Sequence, residues 1–459
     1  MTITTQHPEY IDNKPIWKLT RDAVKGNPAI KAGGITYLPA DFAKKDAERY
    51  AVYKERAYFM GVTGQTQDAT LGMAFRKPPI IEVPASLEDA ANNIDGTGQT
   101  LEQVAKFGVK EVEETGRIGF LADYPAAEEG LTKAQEQALG LRPYMTTYTA
   151  ESIINWKTEV IGGRLMLTLV VLVEEIDKGD DEYAHDLDKQ YRVLRLRDGV
   201  YTQTLYDDTG EAVIEEYTPK AGGSTLNYIP FYIAGALNNL PSCDMPLLYD
   251  VAVVNIAHYQ TTADHRENLF VHGQLTMGIS TELSNEEFKT ANPNGVVVGA
   301  REGLFLGESG SLHSLTAPES SSLRTGLIDL KEEMGELGAK LSQSKGQNET
   351  AEAARINASA QTATLSTVAD NVSDAMTECL RVMALFNGDS DDITFQINKD
   401  FWSDSLDPQT ITAANNLNLS GTIAKADVRH MLRTGKIQIA DDRTDEDIEN
   451  DVANELLDQ

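Results

Sequence analysis

Residues 349 to 387 contain neither glycine nor proline and are dense in small side chains, so they read as one very long helix. Immediately before them Leu323, Leu327, Leu330, Met334, Leu337 and Leu341 recur at alternating steps of four and three. That is a heptad seam, which packs against another helix rather than into an ordinary globular core. A short polar loop, Ser342-Gln343-Ser344-Lys345-Gly346-Gln347-Asn348, separates the two. Helix, polar loop and long helix in this order suit a loop that projects into a space surrounded by several copies of the chain.

With 459 residues the chain has room for two or three structural units. Its 41% hydrophobic and 24% charged residues match an ordinary soluble, folded protein. The longest apolar stretch, residues 165 to 173, is interrupted by Thr168. It has about half the length a membrane helix needs, so it reads as a buried strand, and no membrane partner is expected. The start, Met1-Thr2-Ile3-Thr4-Thr5-Gln6-His7, has neither a basic opening nor an apolar core, which predicts no secretion signal. Cys243 and Cys379 cannot build a disulfide framework and read as small, reduced apolar residues of a cytosolic product. The formal net charge of -31 is more telling. Gripping phosphates needs clustered Lys and Arg, and 71 acids against 40 bases argue against tight DNA binding. Such a surface either serves solubility or lets DNA slide past without sticking, and charge alone does not choose.

The first 130 residues are expected to be mostly helical. Residues 40 to 57 carry helical spacing, and Thr100-Leu101-Glu102-Gln103 is a capping box opening a helix that stops at Gly116. Residues 118 to 123 then read as a strand. Residues 164–173, 191–196, 200–206 and 212–217 alternate as strands, with Asp198-Gly199 and Asp207-Asp208-Thr209-Gly210 as hairpin turns, which predicts an antiparallel meander. The acidic segment 177 to 189 matches no calcium loop and reads as a solvated hairpin tip. Asp244-Met245-Pro246 is expected to open a long helix to about Phe270. Its apolar stripe would be Leu247, Leu248, Val251, Val254 and Ala257, with Asn255 and His258 on polar faces. Residues 271 to 318, rich in glycine, read as a small α/β insert with short strands at 295–299 and 304–306. The seam helix returns near Ser320. A strand at 393–397 and short helices near 408–417 and 425–434 close the chain before an acidic tail.

No catalytic pattern emerges. The chain lacks a Gly-x-x-x-x-Gly-Lys-Ser/Thr phosphate loop, a His-Glu-x-x-His pair and a Cys-x-x-Cys pair. His258 and His265 are seven residues apart, too far for a helical two-ligand metal site. No cofactor and no metal is expected, and the chain reads as a non-enzyme.

The order of these elements resembles the portal proteins of tailed bacteriophages. The resemblance covers nearly the whole chain and is carried by Trp17-Lys18-Leu19-Thr20-Arg21-Asp22-Ala23, Tyr50-Ala51-Val52-Tyr53-Lys54-Glu55-Arg56-Ala57 and Gly72-Met73-Ala74-Phe75-Arg76-Lys77-Pro78-Pro79. Three further blocks begin Gly116-Arg117-Ile118-Gly119, Leu247-Leu248-Tyr249-Asp250 and Asn255-Ile256-Ala257-His258. The resemblance implies an α+β portal fold assembled as a ring, usually of twelve subunits. Residues 1–245 would form the N-terminal wing, 246–270 and 319–341 the two stem helices, and 271–318 a small α/β clip. The loop 342–348 would be the tunnel loop lining the channel, 349–387 a long wing helix, and 388–459 the C-terminal wing and a short crown.

On the same resemblance the ring would sit at the capsid vertex of the virion after assembly in the host cytoplasm. It would pass double-stranded DNA during packaging and ejection without gripping it. Its partners would be the terminase large subunit, head-tail adaptor and tail proteins, and the major capsid protein. The leucine seam would find its partner in neighbouring stems of the ring. Small residues such as Ala351, Ala353, Ala354, Ala358, Ala360 and Ala363 would allow close helix contact between subunits. Lys340, Lys345 and Arg355 bracket the loop and would touch the passing backbone, or serve as ordinary surface cations. Two alternatives stay open: a smaller-role head-to-tail connector ring, and an acidic hydrolase.

Overall fold

The computed structural model describes residues 2–125, 135, 139, 141–177, 183, 187–221, 223–273, 276–293, 295, 304–315, 321–339, 351–389, 392–399, 401, 412–413, 415–417 and 428. The chain begins with helices α1 (Pro8–Lys25), α2 (Asn27–Gly33), α3 (Ala47–Arg56) and α4 (Val62–Ala74). Pro8 occupies the first turn of α1, where its missing N–H costs nothing, and the His7 ring accepts from the Glu9 amide. The helical spacing over 40–57 is realised only from Ala47. Turns occupy 41–45, and Asp46 starts α3 by accepting from the Arg49 amide.

Strand β1 (Ile80–Glu82) and helices α5 (Ala85–Ala91) and α6 (Leu101–Thr115) follow. Both bonds of the expected capping box form at the start of α6: Thr100 accepts from the Gln103 amide, and Gln103 accepts from the Thr100 amide. Gly116 ends the helix in the left-handed region at φ 78°. A residue with a Cβ does not fit there, because that atom would lie 2.1 Å from the Asp244 carbonyl oxygen. The chain turns directly into β2 (Arg117–Asp123), every residue of which is buried.

β2 is the middle strand of a three-stranded sheet, between β3 (Tyr144–Thr149) and β11 (Phe231–Gly235), both antiparallel to it. The meander forms as expected: β5 (Arg164–Asp177), β6 (Leu187–Arg197), β7 (Val200–Tyr206) and β8 (Ala212–Tyr217) pair in sequence order. One further strand, β4 (Ile153–Ile161), is added at the β5 edge. Asp198 and Gly199 both take positive φ, 51° and 74°, the geometry of a tight two-residue hairpin. Two short strands, β9 (Lys220–Ala221) and β10 (Ser224–Thr225), form a small hairpin before β11.

The later elements are α7 (Tyr249–Gly273), β12 (Thr276–Ser280), α8 (Asn285–Ala291), β13 (Ser311–Leu315), α9 (Ser321–Ala339), α10 (Ala351–Asn387) and β14 (Thr394–Gln396). The long glycine-free run is therefore a single helix, α10. From Leu365 onward it crosses the three-stranded sheet and α6, burying Val368, Val372, Met376, Cys379, Leu380 and Met383. Each such side chain removed from water contributes about 1.5–3 kcal/mol. Gly108 of α6 permits the approach, since a Cβ there would meet Val372 at 3.2 Å and Phe120 at 3.1 Å. β14 returns along α10 and pairs antiparallel with β1, tying the C-terminal part to residues 80–82. The expected helices near 408–417 and 425–434 fall mostly outside the described residues. The fold is α+β, and among the described residues no helix is long and apolar enough to cross a membrane.

A cluster of ions fastens α1 to this core. The Arg21 guanidinium donates to Glu111 at 3.0 and 2.6 Å, to Glu114 at 2.8 Å and to Glu151 at 2.8 Å. Burial opposes the charge on Arg21, but its bonds to Glu151 and Glu111 outweigh burial and hold it protonated. One cation thus bridges carboxylates from α6 and from the turn before β4.

Candidate functional site

The segment 246–339 is a helical hairpin with a small domain at its tip. α7 has 25 residues and α9 has 19, so they span about 37 Å and about 28 Å at 1.5 Å per residue. They pack along each other in opposite directions. Lys331 of α9 lies close enough to His258 of α7 to lower its pKa, an effect second to that of burial. Gly338, near the end of α9, lies against Thr66 of α4. The far end of the hairpin is closed by β12 and β13, paired antiparallel from Thr276↔Leu315 to Ser280↔Ser311.

The start of α7 differs from the sequence expectation by several residues. Asp244 is engaged elsewhere, its carboxylate accepting from the Leu237 amide, and the Leu248 amide donates to the Glu113 carbonyl. The helix therefore begins at Tyr249 rather than at Pro246. Its buried face also differs. Asn255, Ile256, His258 and Tyr259 are buried, whereas Val254 and Ala257 are only half-covered. The side-chain oxygen of buried Asn255 accepts from both the amide and the hydroxyl of Thr63, at 3.3 and 3.0 Å. His258 lies 3.4 Å from the Thr262 hydroxyl. The polar residues expected on open faces thus hold α7 to α4 and within its own buried side.

The leucine seam of α9 is not left without a partner in its own chain, because α7 packs against α9. Met334 is 1% exposed, while Leu323, Leu327, Leu330 and Leu337 are half-buried. The heptad pattern correctly announced a helix partner, and much of that partner is α7. In the insert, 304–306 is not a strand, and 296–299 lie outside the described residues. Asn292 instead clamps the 304–306 segment, donating to the Phe305 carbonyl at 2.8 Å and accepting from the Phe305 amide at 2.9 Å. Ser284 and Glu287 form a second capping box at the start of α8, and Glu282 accepts from the Ser309 amide and hydroxyl.

Lys340, Leu341 and the loop 342–348 with Lys345 lie outside the described residues. Arg355 is on the backbone of α10, its side chain outside the described set, as are those of Ala351, Ala353, Ala354, Ala358 and Ala360. Ala363 is exposed. The structure therefore supplies the elements on either side of the loop: α9 up to Ala339, and α10 from Ala351.

Sequence reasoning passed over Glu113, which sits beside the entry to α7. It is fully buried beside Thr70 and Gln67, and burial pushes its pKa up to about 8. The folded state thus holds a proton that the unfolded chain releases near pH 4.5. Stability contributed by that proton is complete below about pH 4.5 and is lost as pH rises toward 8. Glu113→Gln is expected to raise the unfolding free energy at pH 8 by a few kcal/mol, on the order of what a shift of this size implies, and to change it little at pH 4. Urea denaturation at the two pH values checks this. Equal effects at both would mean Glu113 is ionised in the folded state.

Among the described residues no three His, Cys, Asp or Glu side chains lie together as a metal site. One cavity of about 320 Å³ opens between β5, β11 and α10. Leu165, Phe231, Ile233 and Leu240 line it, with Asp374 and Glu378 on the α10 side. The Asp374 pKa is raised by burial and by its neighbours Asp370 and Glu378.

A family model described as a domain of unknown function, DUF4055, matches residues 246–387, which are the hairpin, its insert and all of α10. No curated protein sequence matches the chain. Among solved structures it is similar to a chain in the neck of an empty GTA particle computed with C6 symmetry. The identity is 12%, over 81% of this chain and 89% of that one, with a TM-score of 0.41. It is also similar to a chain in the neck of a native GTA particle computed with C12 symmetry, at 13% identity over 84% and 93%, again with a TM-score of 0.41. A TM-score at this level does not establish a shared fold.

Proposed function

We propose that the chain is the subunit of a portal ring, a non-enzymatic DNA conduit at one capsid vertex of a tailed-phage-type particle. The observation that carries this is the helical hairpin itself. Two long antiparallel helices, flanked by a core on one end and carrying a small β-closed domain on the other, form a stalk joined to a head. A monomeric globule has no need of a stalk. Copies standing side by side with their stalks parallel enclose an axis, and α10, the next described element after α9, crosses the head. In this reading α7 and α9 are the stem, 271–318 is the clip, and 342–348 lines the channel.

The net charge of -31 supports passage of DNA without capture, because a wall of carboxylates offers phosphates no counterion-releasing contacts. Docking of a packaging motor and later of adaptor or tail proteins at the insert belongs to the same proposal. Removing Ser344 through Gln347 tests the channel assignment. The shortened chain is expected to assemble normally while reducing the DNA packaged per capsid, read by nuclease protection. Wild-type amounts of packaged DNA would contradict a channel-lining loop.

A further inference from the structure

We infer that the free edge of β11 is a peptide-binding site, where an extended segment of another protein, carrying a basic residue between two apolar ones, adds to the three-stranded sheet as a fourth strand. The inference stands apart from the ring reading. β11 is an outer strand of its sheet, with β2 on one side only. In an antiparallel ladder alternate residues turn both backbone groups toward the neighbouring strand, and the residues between turn theirs away. The Pro230 carbonyl accepts from the Ala122 amide, and the Ala236 amide donates to the Gly116 carbonyl, so the even-numbered residues of β11 serve β2. Phe231, Ile233 and Gly235 therefore point their backbone groups outward. The Asn371 side chain donates to the Gly235 carbonyl at 2.8 Å, and the Phe231 amide donates to the Ile229 carbonyl at 2.8 Å. The Phe231 carbonyl and both backbone groups of Ile233 have no partner among the described residues.

Phe231 is 3% exposed and Ile233 4%, and polar backbone groups in such surroundings are paired in almost all native proteins. The opposite edge of the same sheet follows that rule, since the outward Met145 amide of β3 donates to the Ile94 carbonyl at 3.0 Å. At β11 the cavity of about 320 Å³ stands in the partner's place. It runs past Phe231, Tyr232 and Ile233 in succession, between α10 and β5, with Leu165 and Leu240 half exposed at its rim. A strand edge beside a lined slot suits an extended peptide, with backbone bonds for affinity and side-chain pockets for selection.

The two walls fix the chemistry of the occupant, because side chains of an added strand alternate between the two faces of the sheet. On one face Phe231 packs near Tyr148 and, with Ile233 and Leu165, offers an apolar wall. On the other face Tyr232 stands beside Glu378 and Cys379 of α10. Asp370, Asp374 and Glu378 follow one another there at four-residue steps, on one side of the helix. Asp370 pairs with Lys399 at 2.9 Å, and Glu378 pairs with Arg381. Asp374 lines the cavity, is exposed and makes no ion pair among the described residues, so one negative charge is left for the occupant to meet. A segment that alternates apolar, basic and apolar residues satisfies the backbone edge, the apolar wall and Asp374 together.

Fluorescence anisotropy of a labelled, acetylated peptide Thr-Val-Lys-Val-Thr against the full chain tests this. Saturable binding is expected below about 1 mM, and hydrogen exchange read by mass spectrometry should slow in residues 229–235 when the peptide is present. A peptide N-methylated at both valines keeps its side chains but cannot donate to the edge, and it should not bind. Changing the peptide's lysine to glutamate, or Asp374→Asn in the protein, should weaken binding about tenfold. Asp374 is exposed, and far-UV circular dichroism confirms that the variant is folded. Absence of saturable binding, or binding that survives N-methylation, overturns the strand-edge site. Binding unchanged by either charge change overturns the basic occupant. Protection of 229–235 that rises with chain concentration alone would give the edge to a second copy and overturn its assignment to another protein.

Discussion

Arg21→Met is expected to lower the unfolding free energy by about 3–5 kcal/mol, the usual consequence of stripping the cation from a buried ion cluster. Three carboxylates, Glu111, Glu114 and Glu151, converge on that one guanidinium, and Arg21 itself is only 17% exposed in its side chain. The loss should depend on pH in a defined direction. In the native protein burial is the largest influence and raises the Glu151 pKa, but the bond to Arg21 and the charge of Arg21, with smaller help from Thr149 and the Glu151 backbone, together outweigh it, so the net direction is down. Stability from Glu151 is therefore present above its unfolded pKa and fades as the solution is made acid. Without Arg21 the burial of Glu111 and Glu151 is no longer opposed by a cation, and these two carboxylates gain by taking up protons. The deficit of the variant should thus be largest near neutrality and shrink toward pH 4. A deficit that is below about 1 kcal/mol, or flat with pH, would show that the cluster is spectator chemistry.

The second large effect belongs to Gly116. Its φ of 78° costs a residue with a Cβ roughly 1–2 kcal/mol, and the added atom would lie 2.1 Å from the Asp244 carbonyl oxygen. Backbone cannot step aside as a flexible side chain can, so relief requires moving the loop that leads into α7. Overpacking of this kind adds another ~1–3 kcal/mol. Gly116→Ala should therefore be far more damaging than Gly162→Ala, where φ is 59° and nothing lies within 4 Å. Urea unfolding of both variants measures the difference. Similar losses would mean that φ alone governs the site and that the loop yields freely.

These two sites also show what was legible in the sequence. The α6 helix, its capping box and its Gly116 stop are local, set by residues within four positions of each other, and they form as read. The meander was equally plain, because alternating apolar residues and an Asp198-Gly199 turn specify their own pairing. The length of α10 followed from the absence of glycine and proline. The seam on α9 announced a helix partner, but periodicity does not say whose helix, and the chain's own α7 takes much of that role. Asn255 and His258 looked like solvent-facing residues because their helix carries other polar groups. The partner of Asn255, Thr63, stands 192 residues away, beyond the reach of any periodic pattern. Arg21 is separated from Glu111 by 90 residues and from Glu151 by 130, so its cluster was invisible for the same reason. Of the residues that the portal resemblance assigns to a channel, 342–348 lie outside the described residues, and only the helices on either side are described.

Whether the hairpin is a stalk around an axis is decided most directly by the mass and shape of the purified full-length particle. Native mass spectrometry paired with negative-stain imaging should give a closed ring with a central opening. Its mass should be a whole multiple of 50.2 kDa, about 600 kDa for the twelve copies that the portal resemblance implies. A single species at 50.2 kDa that persists at high protein concentration, with no ring in the images, would contradict the account.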